Sequence, residues 1–275
     1  MRDIQIASVT IGKKQPLVLI AGPCVIEDEE LVRETAKEIK LITQSLKMPF
    51  IFKSSYLKDN RSKPDGYRGP GVQKGLGILK KIKEELSIPI LSDVHCRQEL
   101  DLAAEHLDCL QIPAYLSQQT RLIIAAAKTG KPLNIKKGQF VAPEDMKNAV
   151  LKAEAGGCTQ ILLTERGSCF GYRTLVNDFR SLKIMADLGY PVVYDITHSI
   201  RIYGHPSSDP KGGQPEFVPL LARAGVAAGV QAVFVETHPE PSKALCDASS
   251  MLPLKNLKQL LEHLLRIHAI NLELL

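Results

Sequence analysis

The sequence predicts an α/β fold, a (β/α)8 TIM barrel with a short N-terminal β cap. Two apolar, β-branched runs, residues 191–198 and 232–238, both end in polar residues, as buried parallel strands do at their C-terminal tips. The interval between them fits a helix with its two loops. Six further strand candidates lie upstream, and segments with helical periodicity separate them. A barrel of this kind takes roughly 250 residues, which matches a chain of 275.

Each unit can be placed along the chain. Residues 1–16 are expected to form the cap, because alternating residues 4–11 are followed by a break at Gly12 and Pro16. The predicted strands are 17–21, 50–55, 88–94, 109–114, 133–137, 160–164, 191–198 and 232–236. The predicted helices are 28–46, 72–86, 97–106, 117–129, 143–155, 174–188, 217–229 and 254–271. Residues 1–275 are therefore expected to form one barrel domain. A doubly wound sheet is the alternative, and it requires one or two units to be misassigned.

The composition argues against several classes of protein. Hydrophobic residues at 44% and charged residues at 24% are typical of a soluble globular protein, and the longest apolar run, 17–26, is too short to span a membrane. No secretory signal is recognisable, so a cytoplasmic location is expected. The six cysteines form no C-x-x-C pair and are expected to be free thiols. A net charge of +5 without Trp or a sustained basic run favours small anionic substrates over nucleic acid.

Reactive side chains gather at the predicted strand ends, which converge on one face of a barrel. These residues are Cys24, Lys53, Asp93, His95, Gln111, Lys136, Lys137, Glu165, Arg166, His198, Glu236 and His238. A thiolate, an imidazole and carboxylates are ligands of divalent transition metals, and Cys24, His198, Glu236 and Asp247 could supply four of them. The residue pattern alone favours a plainer interpretation, in which Cys24 is a buried apolar residue, His198 a hydrogen-bonded core residue and Asp247 a cap.

Cationic side chains come from several different units. They are Lys53, Lys58, Arg61, Arg68, Lys136, Lys137 and Arg166. Together they would neutralise phosphate or carboxylate groups, although any one alone is more simply a solvated surface charge. That simpler interpretation weakens for Lys53, Lys136 and Arg166, which follow apolar strand residues. The polar loop 56–71 is longer than usual between a strand and a helix, which makes it a functional candidate.

Motifs along nearly the whole chain resemble the 3-deoxy-D-manno-octulosonate 8-phosphate synthases. The motifs are Ala21-Gly-Pro-Cys24, Lys53-Ser-Ser55, Lys58-Asp-Asn-Arg-Ser62, Tyr67-Arg-Gly-Pro-Gly71, Ser92-Asp-Val-His95, Gln111-Ile-Pro-Ala114, Asn134-Ile-Lys-Lys-Gly-Gln-Phe140, Glu165-Arg-Gly167, Phe170-Gly-Tyr172, Asp195-Ile-Thr-His198 and Glu236-Thr-His-Pro239. The loop Asn60-Arg61-Ser62 is the most specific. The sister enzymes that make 3-deoxy-D-arabino-heptulosonate 7-phosphate have a Lys-Pro-Arg-Thr type motif there.

The resemblance implies a homotetramer that condenses phosphoenolpyruvate with arabinose 5-phosphate in lipopolysaccharide biosynthesis. It implies catalytic roles for Lys53, Asp93, Lys136 and His198. It implies substrate binding by Lys58, Asn60, Arg61, Ser62, Gln111, Ala114, Lys137 and Arg166, with Arg61 reaching a neighbouring subunit. It also implies a divalent metal, such as Zn, Fe, Mn or Cd, on Cys24, His198, Glu236 and Asp247. Some relatives have Asn at the position of Cys24 and need no metal.

The chain departs from the family pattern in its loops, at Asp59, at residues 63–66 and at residues 205–214. Three alternatives therefore stay open. A heptulosonate synthase would use erythrose 4-phosphate as its aldehyde. A sialic-acid-type synthase condenses a neutral amino sugar and would not need Arg61. A barrel that only binds its partners would be expected to have lost some of the strand-end cations, and none is missing from the sequence.

Overall fold

The computed structural model describes residues 1–61, 63–206 and 209–274. Its strands are β1 Ile4–Ile6, β2 Val9–Ile11, β3 Val18–Gly22, β4 Phe50–Lys53, β5 Ile90–Asp93, β6 Cys109–Ile112, β7 Leu133–Lys136, β8 Ile161–Glu165, β9 Val192–Asp195, β10 Ala232–His238 and β11 Leu252–Pro253. Its α-helices are α1 Glu29–Ser45, α2 Val72–Leu86, α3 Leu100–His106, α4 Thr120–Lys128, α5 Met146–Ala155, α6 Arg180–Ala186, α7 Ile196–Ser199, α8 Val218–Ala227 and α9 Leu257–Glu273. No helix in these ranges is long and apolar enough to cross a membrane.

Strands β3 to β10 form a closed parallel barrel in chain order. The ring closes at β10, where Ala232 pairs with Val193 of β9 on one side and with Val18 of β3 on the other. Helices follow each strand, so all eight βα units are present. The predicted (β/α)8 barrel is confirmed, because the open sheet of a doubly wound fold has two free edges and does not close.

Burial on both faces explains why the barrel strands are so apolar in sequence. All five residues of β3 and all four of β9 are buried, as expected for parallel strands between a filled interior and a ring of helices. The helices carry an apolar stripe and local caps. In α1, Asp28 accepts hydrogen bonds from the amides of Glu30 and Leu31 at 3.0 Å, which fixes the first turn.

The N-terminal hairpin covers the bottom of the barrel, as predicted. Strands β1 and β2 pair antiparallel, and Ile4 and Ile6 are fully buried. The amide of Gln5 donates to the side chain of Gln160 at 2.8 Å, and the amide of Arg2 donates to the carbonyl of Gly189 at 2.9 Å. Both acceptors precede the first residue of a barrel strand, so the hairpin lies at the end opposite the strand tips.

Several predicted boundaries differ from the structure by a few residues, and three of these differences have clear local reasons. The strand at 191–198 ends at Asp195, because this carboxylate caps the following turn by accepting the amide of His198 at 3.0 Å. The helix at 174–188 begins only at Arg180, because Val176 pairs with Ser168 in a loop. The last barrel strand extends beyond 236 to His238, because its end pairs with β11, a short strand that the sequence did not predict.

Candidate active site

A cavity of about 870 Å³ opens at the C-terminal ends of the barrel strands. The polar side chains that line it include five cationic ones, Lys58, Arg61, Lys63, Arg166 and Arg201. Asp209 and Asp247 are the carboxylates among the same lining residues. Because the walls carry more positive than negative charge, the cavity favours anionic ligands.

The four predicted metal ligands form two overlapping groups at the base of this cavity, Cys24 with Cys246 and Asp247, and His198 with Glu236 and the same Asp247. His198 Nε2 lies 3.8 Å from Glu236 Oε2 and 3.7 Å from Asp247 Oδ2. Cys24 Sγ lies 3.3 Å from the same Asp247 oxygen. Barrel closure explains the cluster, since β3 and β9 both adjoin β10 and bring residues from both ends of the chain to one place.

The donor atoms fit a divalent transition metal ion. One sulfur, one imidazole nitrogen and two carboxylate oxygens form a ligand set typical of zinc and similar ions. Glu236 Oε2 is buried and has no hydrogen-bond partner among the described residues. A buried carboxylate oxygen without a partner is costly, and a bound cation would satisfy it.

Protonation states at the cluster depend on the neighbouring charges. Burial raises the pKa of the Cys24 thiol well above its usual value, and the contact with Cys246 and the charge of Asp247 raise it further. Burial alone would raise the pKa of Asp247 as well, but His198 and Arg201 hold it well below its usual range. Asp247 is therefore an anion at neutral pH, whereas Cys24 becomes a thiolate when a cation binds.

Two neighbours of the cluster were missed in the sequence. Cys246 Sγ lies 2.7 Å from Cys24 Sγ and accepts from Arg61 Nη1 at 3.0 Å. Arg201 Nη1 donates to Asp247 Oδ1 at 2.6 Å and so orients the carboxylate from the side away from Cys24. The available signals were weak, since Cys246 merely precedes a predicted ligand and Arg201 follows the tip of β9 in a loop.

Three predicted lysines reach the interior of the barrel rim. Lys53 Nζ lies 3.2 Å from Glu236 Oε1 and 3.0 Å from a serine hydroxyl. Lys58 Nζ lies 3.4 Å from Asp93 Oδ2. Lys136 forms an ion pair with Asp195, and its Nζ lies 3.8 Å from the centre of the Phe234 ring. Burial lowers the pKa of Lys136 against the opposing effect of the Asp195 carboxylate.

A chain of hydrogen bonds connects four adjacent strands below the cavity. Gln111 Nε2 donates to Asp93 Oδ1, and Gln111 Oε1 accepts from Asn134 Nδ2 at 2.9 Å. Thr164 Oγ1 continues the chain by donating to Asn134 Oδ1 at 2.5 Å. Burial would raise the pKa of Asp93, but Lys53 and other neighbours hold it well below its usual value. Asp93 is thus a fixed anion at the rim.

His198 is held on its other face by Asp195. The imidazole Nδ1 lies 2.8 Å from Asp195 Oδ2, which leaves Nε2 facing the cluster. Burial would raise the pKa of Asp195, but His198 and Lys136 hold it far below its usual range. A carboxylate in this position fixes the orientation of the imidazole ring.

Arg166 lies in the cavity wall, where a tyrosine contacts it. Its Nη1 donates to the hydroxyl of Tyr203 at 2.8 Å, and Gln139 Nε2 donates to the same hydroxyl at 2.5 Å. Tyr203 lies just before residues 205–214, which depart from the family pattern, and Tyr115 lines the same wall. Neither tyrosine was predicted as a site residue.

The remaining predicted site residues are dispersed. Asn60 is exposed and accepts from Arg61 Nη2 at 3.1 Å, while Ser62 lies outside the described residues. Ala114 is half-buried in the turn after β6. Lys137 is fully buried with its ammonium among groups of neighbouring loops. His238, expected beside His198, instead lies 3.9 Å from a carboxylate oxygen of Glu27.

The closed parallel barrel, the possible metal ligands and the cationic cavity at the strand ends are together typical of a barrel enzyme. The chain belongs to the DAHP synthetase I family, whose model matches residues 3–271. It is 51% identical over 269 residues to the 2-dehydro-3-deoxyphosphooctonate aldolases of Trichlorobacter lovleyi and Geobacter metallireducens, with 98% of each chain covered. The enzyme of that name from Methylibium petroleiphilum is 50% identical over 270 residues, which cover 96% of this chain and 94% of the relative.

These relatives carry the alternative name of the octulosonate 8-phosphate synthases. The resemblance predicted from the sequence motifs is therefore confirmed at the level of the family and of its named members. The heptulosonate synthases share the same family description, but a heptulosonate synthase is less supported because these relatives are named phosphooctonate aldolases.

Proposed function

We propose that this protein condenses phosphoenolpyruvate with D-arabinose 5-phosphate and water, giving 3-deoxy-D-manno-octulosonate 8-phosphate and inorganic phosphate. This reaction contributes the eight-carbon sugar of lipopolysaccharide. The observation that carries the proposal is a cationic cavity over two groups of possible metal ligands that share Asp247, in a chain half identical to 2-dehydro-3-deoxyphosphooctonate aldolases. Two anionic substrates account for the number of cations better than one does.

Phosphoenolpyruvate is bound by Lys53, Lys136 and Arg166, with Lys58 and Gln111 beside them. These cations neutralise its phosphate and carboxylate inside a largely dry pocket, where charge interactions are strong. Because the lysines are held by buried carboxylates, their ammonium groups are already in place before the substrate arrives. Such preorganisation lowers the barrier without reorganisation during the reaction.

Arabinose 5-phosphate is bound with its phosphate on Asn60, Arg61 and Ser62, near the backbone of Ala114. The planar guanidinium of Arg61 offers paired donors to phosphate oxygens. Asp93, ionised at the rim, accepts a hydrogen bond from a hydroxyl of the sugar and so directs the aldehyde towards phosphoenolpyruvate. The two substrates are thereby held in one geometry, which replaces the entropy cost of a bimolecular encounter.

The reaction forms one carbon–carbon bond and one carbon–oxygen bond, the latter to water, and breaks one carbon–oxygen bond, that to phosphate. The methylene carbon of phosphoenolpyruvate attacks the aldehyde, water adds to the neighbouring carbon, and phosphate leaves from that carbon. The aldehyde oxygen gains a proton while the water loses one. The lowered pKa of Lys136 suits its Nζ to donate that proton to the developing alkoxide.

A divalent ion on Cys24, His198, Glu236 and Asp247 completes the proposed site. When bound, such an ion supplies a Lewis acid that orients or polarises an oxygen of the water or the aldehyde. Zn, Fe, Mn and Cd all suit this ligand set, and cellular supply decides among them. Asp195 holds His198 in the orientation that presents Nε2 to the ion.

The decisive experiment compares aldehydes with the purified protein. Phosphate release is measured with phosphoenolpyruvate and either arabinose 5-phosphate or erythrose 4-phosphate. The proposal expects a higher kcat/KM with the five-carbon sugar. Faster turnover of erythrose 4-phosphate would identify a heptulosonate synthase instead, and no turnover with either sugar would identify a barrel that only binds its partners.

The metal is tested by its content as well as by turnover. Exhaustive chelation should remove both the ion and the activity, and return of the ion should restore both. Cys24→Ser should lose most metal affinity, because a hydroxyl replaces thiolate poorly. Cys24→Asn should retain partial activity without metal if its amide bonds into the cluster. Full turnover at negligible metal content would contradict the assignment.

We also propose a homotetramer in the cytoplasm, in keeping with the implied contact of Arg61 with a neighbouring subunit. In the described chain Arg61 already contacts Cys246 of its own site. In an assembly, residues of a second subunit should therefore add contacts to those that Arg61 already makes. Sedimentation of a fully active monomer would contradict the tetramer.

A further inference from the structure

A buried ion pair, Lys137 with Glu165, lies near the cavity wall, although neither residue lines the cavity itself. Lys137 Nζ lies 3.4 Å from Glu165 Oε1, and both side chains are almost completely buried. Lys136, the preceding residue, points into the barrel towards Asp195. Because side chains alternate along a strand, Lys137 points the other way. It therefore faces the loops that carry the cavity wall.

Glu165 fixes the backbone of the residue that follows it. Its Oε1 accepts from the amide of Arg166 at 2.9 Å and from that of Gly167 at 2.7 Å. Its Oε2 accepts from Ser181 Oγ at 2.7 Å. Gly167 has a φ of +92°, so the chain turns sharply immediately after Arg166. One carboxylate thus sets the direction in which Arg166 leaves the strand.

Lys137 holds the loop of residues 138–141 close to the turn at Gly167. Its Nζ donates to the carbonyls of Gly138 and Val141 at 3.2 and 3.3 Å and to Ser168 Oγ at 3.0 Å. The loop held in this way carries Gln139, whose side chain shares the hydroxyl of Tyr203 with Arg166. The pair therefore links two loops that meet at the Arg166 guanidinium.

We propose that Lys137 and Glu165 are positioning residues that aim Arg166 at the anionic substrate without contacting the substrate themselves. The inference rests on the proposed function and deepens it, since Arg166 is assigned there to phosphoenolpyruvate. A buried ion pair contributes little to stability by itself, because desolvation offsets its attraction. Here Lys137 also donates to backbone carbonyls of the loop after β7, and Glu165 accepts from backbone amides of the loop after β8. The ion pair therefore acts on the orientation of these two loops.

The test is a double-mutant cycle on kcat/KM for phosphoenolpyruvate. Lys137→Met keeps the length of the side chain and removes its charge, and Arg166→Ala removes the group that is aimed. Misplacement of a substrate-binding group by about 1 Å costs up to about 100-fold, so Lys137→Met should raise KM for phosphoenolpyruvate about 10- to 100-fold. The KM for arabinose 5-phosphate should change much less.

The cycle separates positioning from direct contact. If Lys137 acts only through Arg166, the Lys137→Met/Arg166→Ala double variant will be no worse than Arg166→Ala alone. If the fold-losses in kcat/KM of the two single variants multiply in the double variant, Lys137 contacts the substrate itself. That result would overturn the inference. An unchanged KM in Lys137→Met would overturn it as well.

Controls separate positioning from loss of fold. Glu165→Gln retains an acceptor for the two amides while removing the charge, so it keeps the turn and should fold even if Lys137→Met does not. It should also raise KM for phosphoenolpyruvate, and an unchanged KM would overturn the inference. Lys83→Met is the matched control at the other end of the barrel, where Lys83 pairs at 2.7 Å with Asp108, which also accepts the amide of Ile90. It should lower the melting temperature without changing either KM.

Wild-type turnover is measured in the same series. An absence of turnover with the two substrates would refute the proposed function, whereas normal wild-type turnover with unchanged Lys137→Met kinetics would refute only the positioning role.

Discussion

Asp195→Asn is the substitution that most directly probes how the cluster is organised. Asp195 Oδ1 caps the next turn through the amide of His198, and an asparagine oxygen can keep that bond. Asp195 Oδ2, by contrast, lies 2.8 Å from His198 Nδ1 and pairs with Lys136. In the variant an uncharged amide stands where the carboxylate held the imidazole. The backbone is thus preserved while the support of the ring is lost.

The size of the effect follows from that single contact. Loss of a carboxylate behind a ligating imidazole typically costs about 10- to 100-fold in metal affinity. That range corresponds to about 1.4 to 2.7 kcal/mol. We therefore expect the dissociation constant for Zn²⁺ to rise by one to two orders of magnitude, which is about 10- to 100-fold.

The affinity is measured by competition with a chromophoric chelator, which needs no turnover. Asp93→Asn is the matched control, because Asp93 is also a buried, lysine-paired carboxylate at the rim. It contacts Lys58, Ser55 and Gln111 rather than His198. The control should bind Zn²⁺ as the wild type does. Equal affinity of Asp195→Asn and wild type would refute the reasoning, as would an equal loss in both variants.

Three further predictions concern the sugar, acid and oxidation. Arg61→Ala should raise KM for arabinose 5-phosphate and leave that for phosphoenolpyruvate nearly unchanged, and steady-state kinetics showing the reverse would exclude Arg61 from the sugar site. Because the pKa of Asp93 is depressed in the folded protein, its stabilising effect is complete above its pKa in the unfolded chain, about 4, and is lost as the pH falls below that value. The melting temperature should therefore decline from about pH 5 to pH 3. The decline should be less steep in Asp93→Asn. Treatment of the metal-free protein with diamide should form a disulfide between Cys24 and Cys246, which mass spectrometry detects as a loss of two hydrogens. Cys246→Ser should abolish this loss, and bound Zn²⁺ should prevent it. An unchanged mass of the metal-free protein would contradict the prediction.

The barrel was predictable because its physical constraints act on every unit alike. Strands that are buried on both faces must be apolar throughout, and the helices that cover them must carry one apolar stripe. The sequence therefore shows the order of units directly. Strand ends were predictable to within a few residues, and the failure at 191–198 came from Asp195, whose capping bond ends the strand early.

The site was predictable where strands determine it. Cys24, His198 and Glu236 follow or end barrel strands, so closure of the ring brings them together whatever the loops do. Arg201 and Cys246 lie in loops, whose paths depend on tertiary contacts that periodicity does not encode. Lys137 illustrates a different limit. Strand geometry makes Lys136 and Lys137 point to opposite faces, because side chains alternate along a strand. A family motif that contains both lysines does not say which face holds the substrate.

The short strand β11 has a consequence for how this barrel can change. Thr237 and His238 pair with Leu252 and Pro253, and Thr237 Oγ1 also donates to the Leu252 carbonyl at 2.7 Å. Residues 240–251, which carry Cys246 and Asp247, are thereby fastened at both ends outside the ring. Because both ends of this segment are fixed, a loop with different metal ligands could replace it while every hydrogen bond of the eight-stranded ring stays in place.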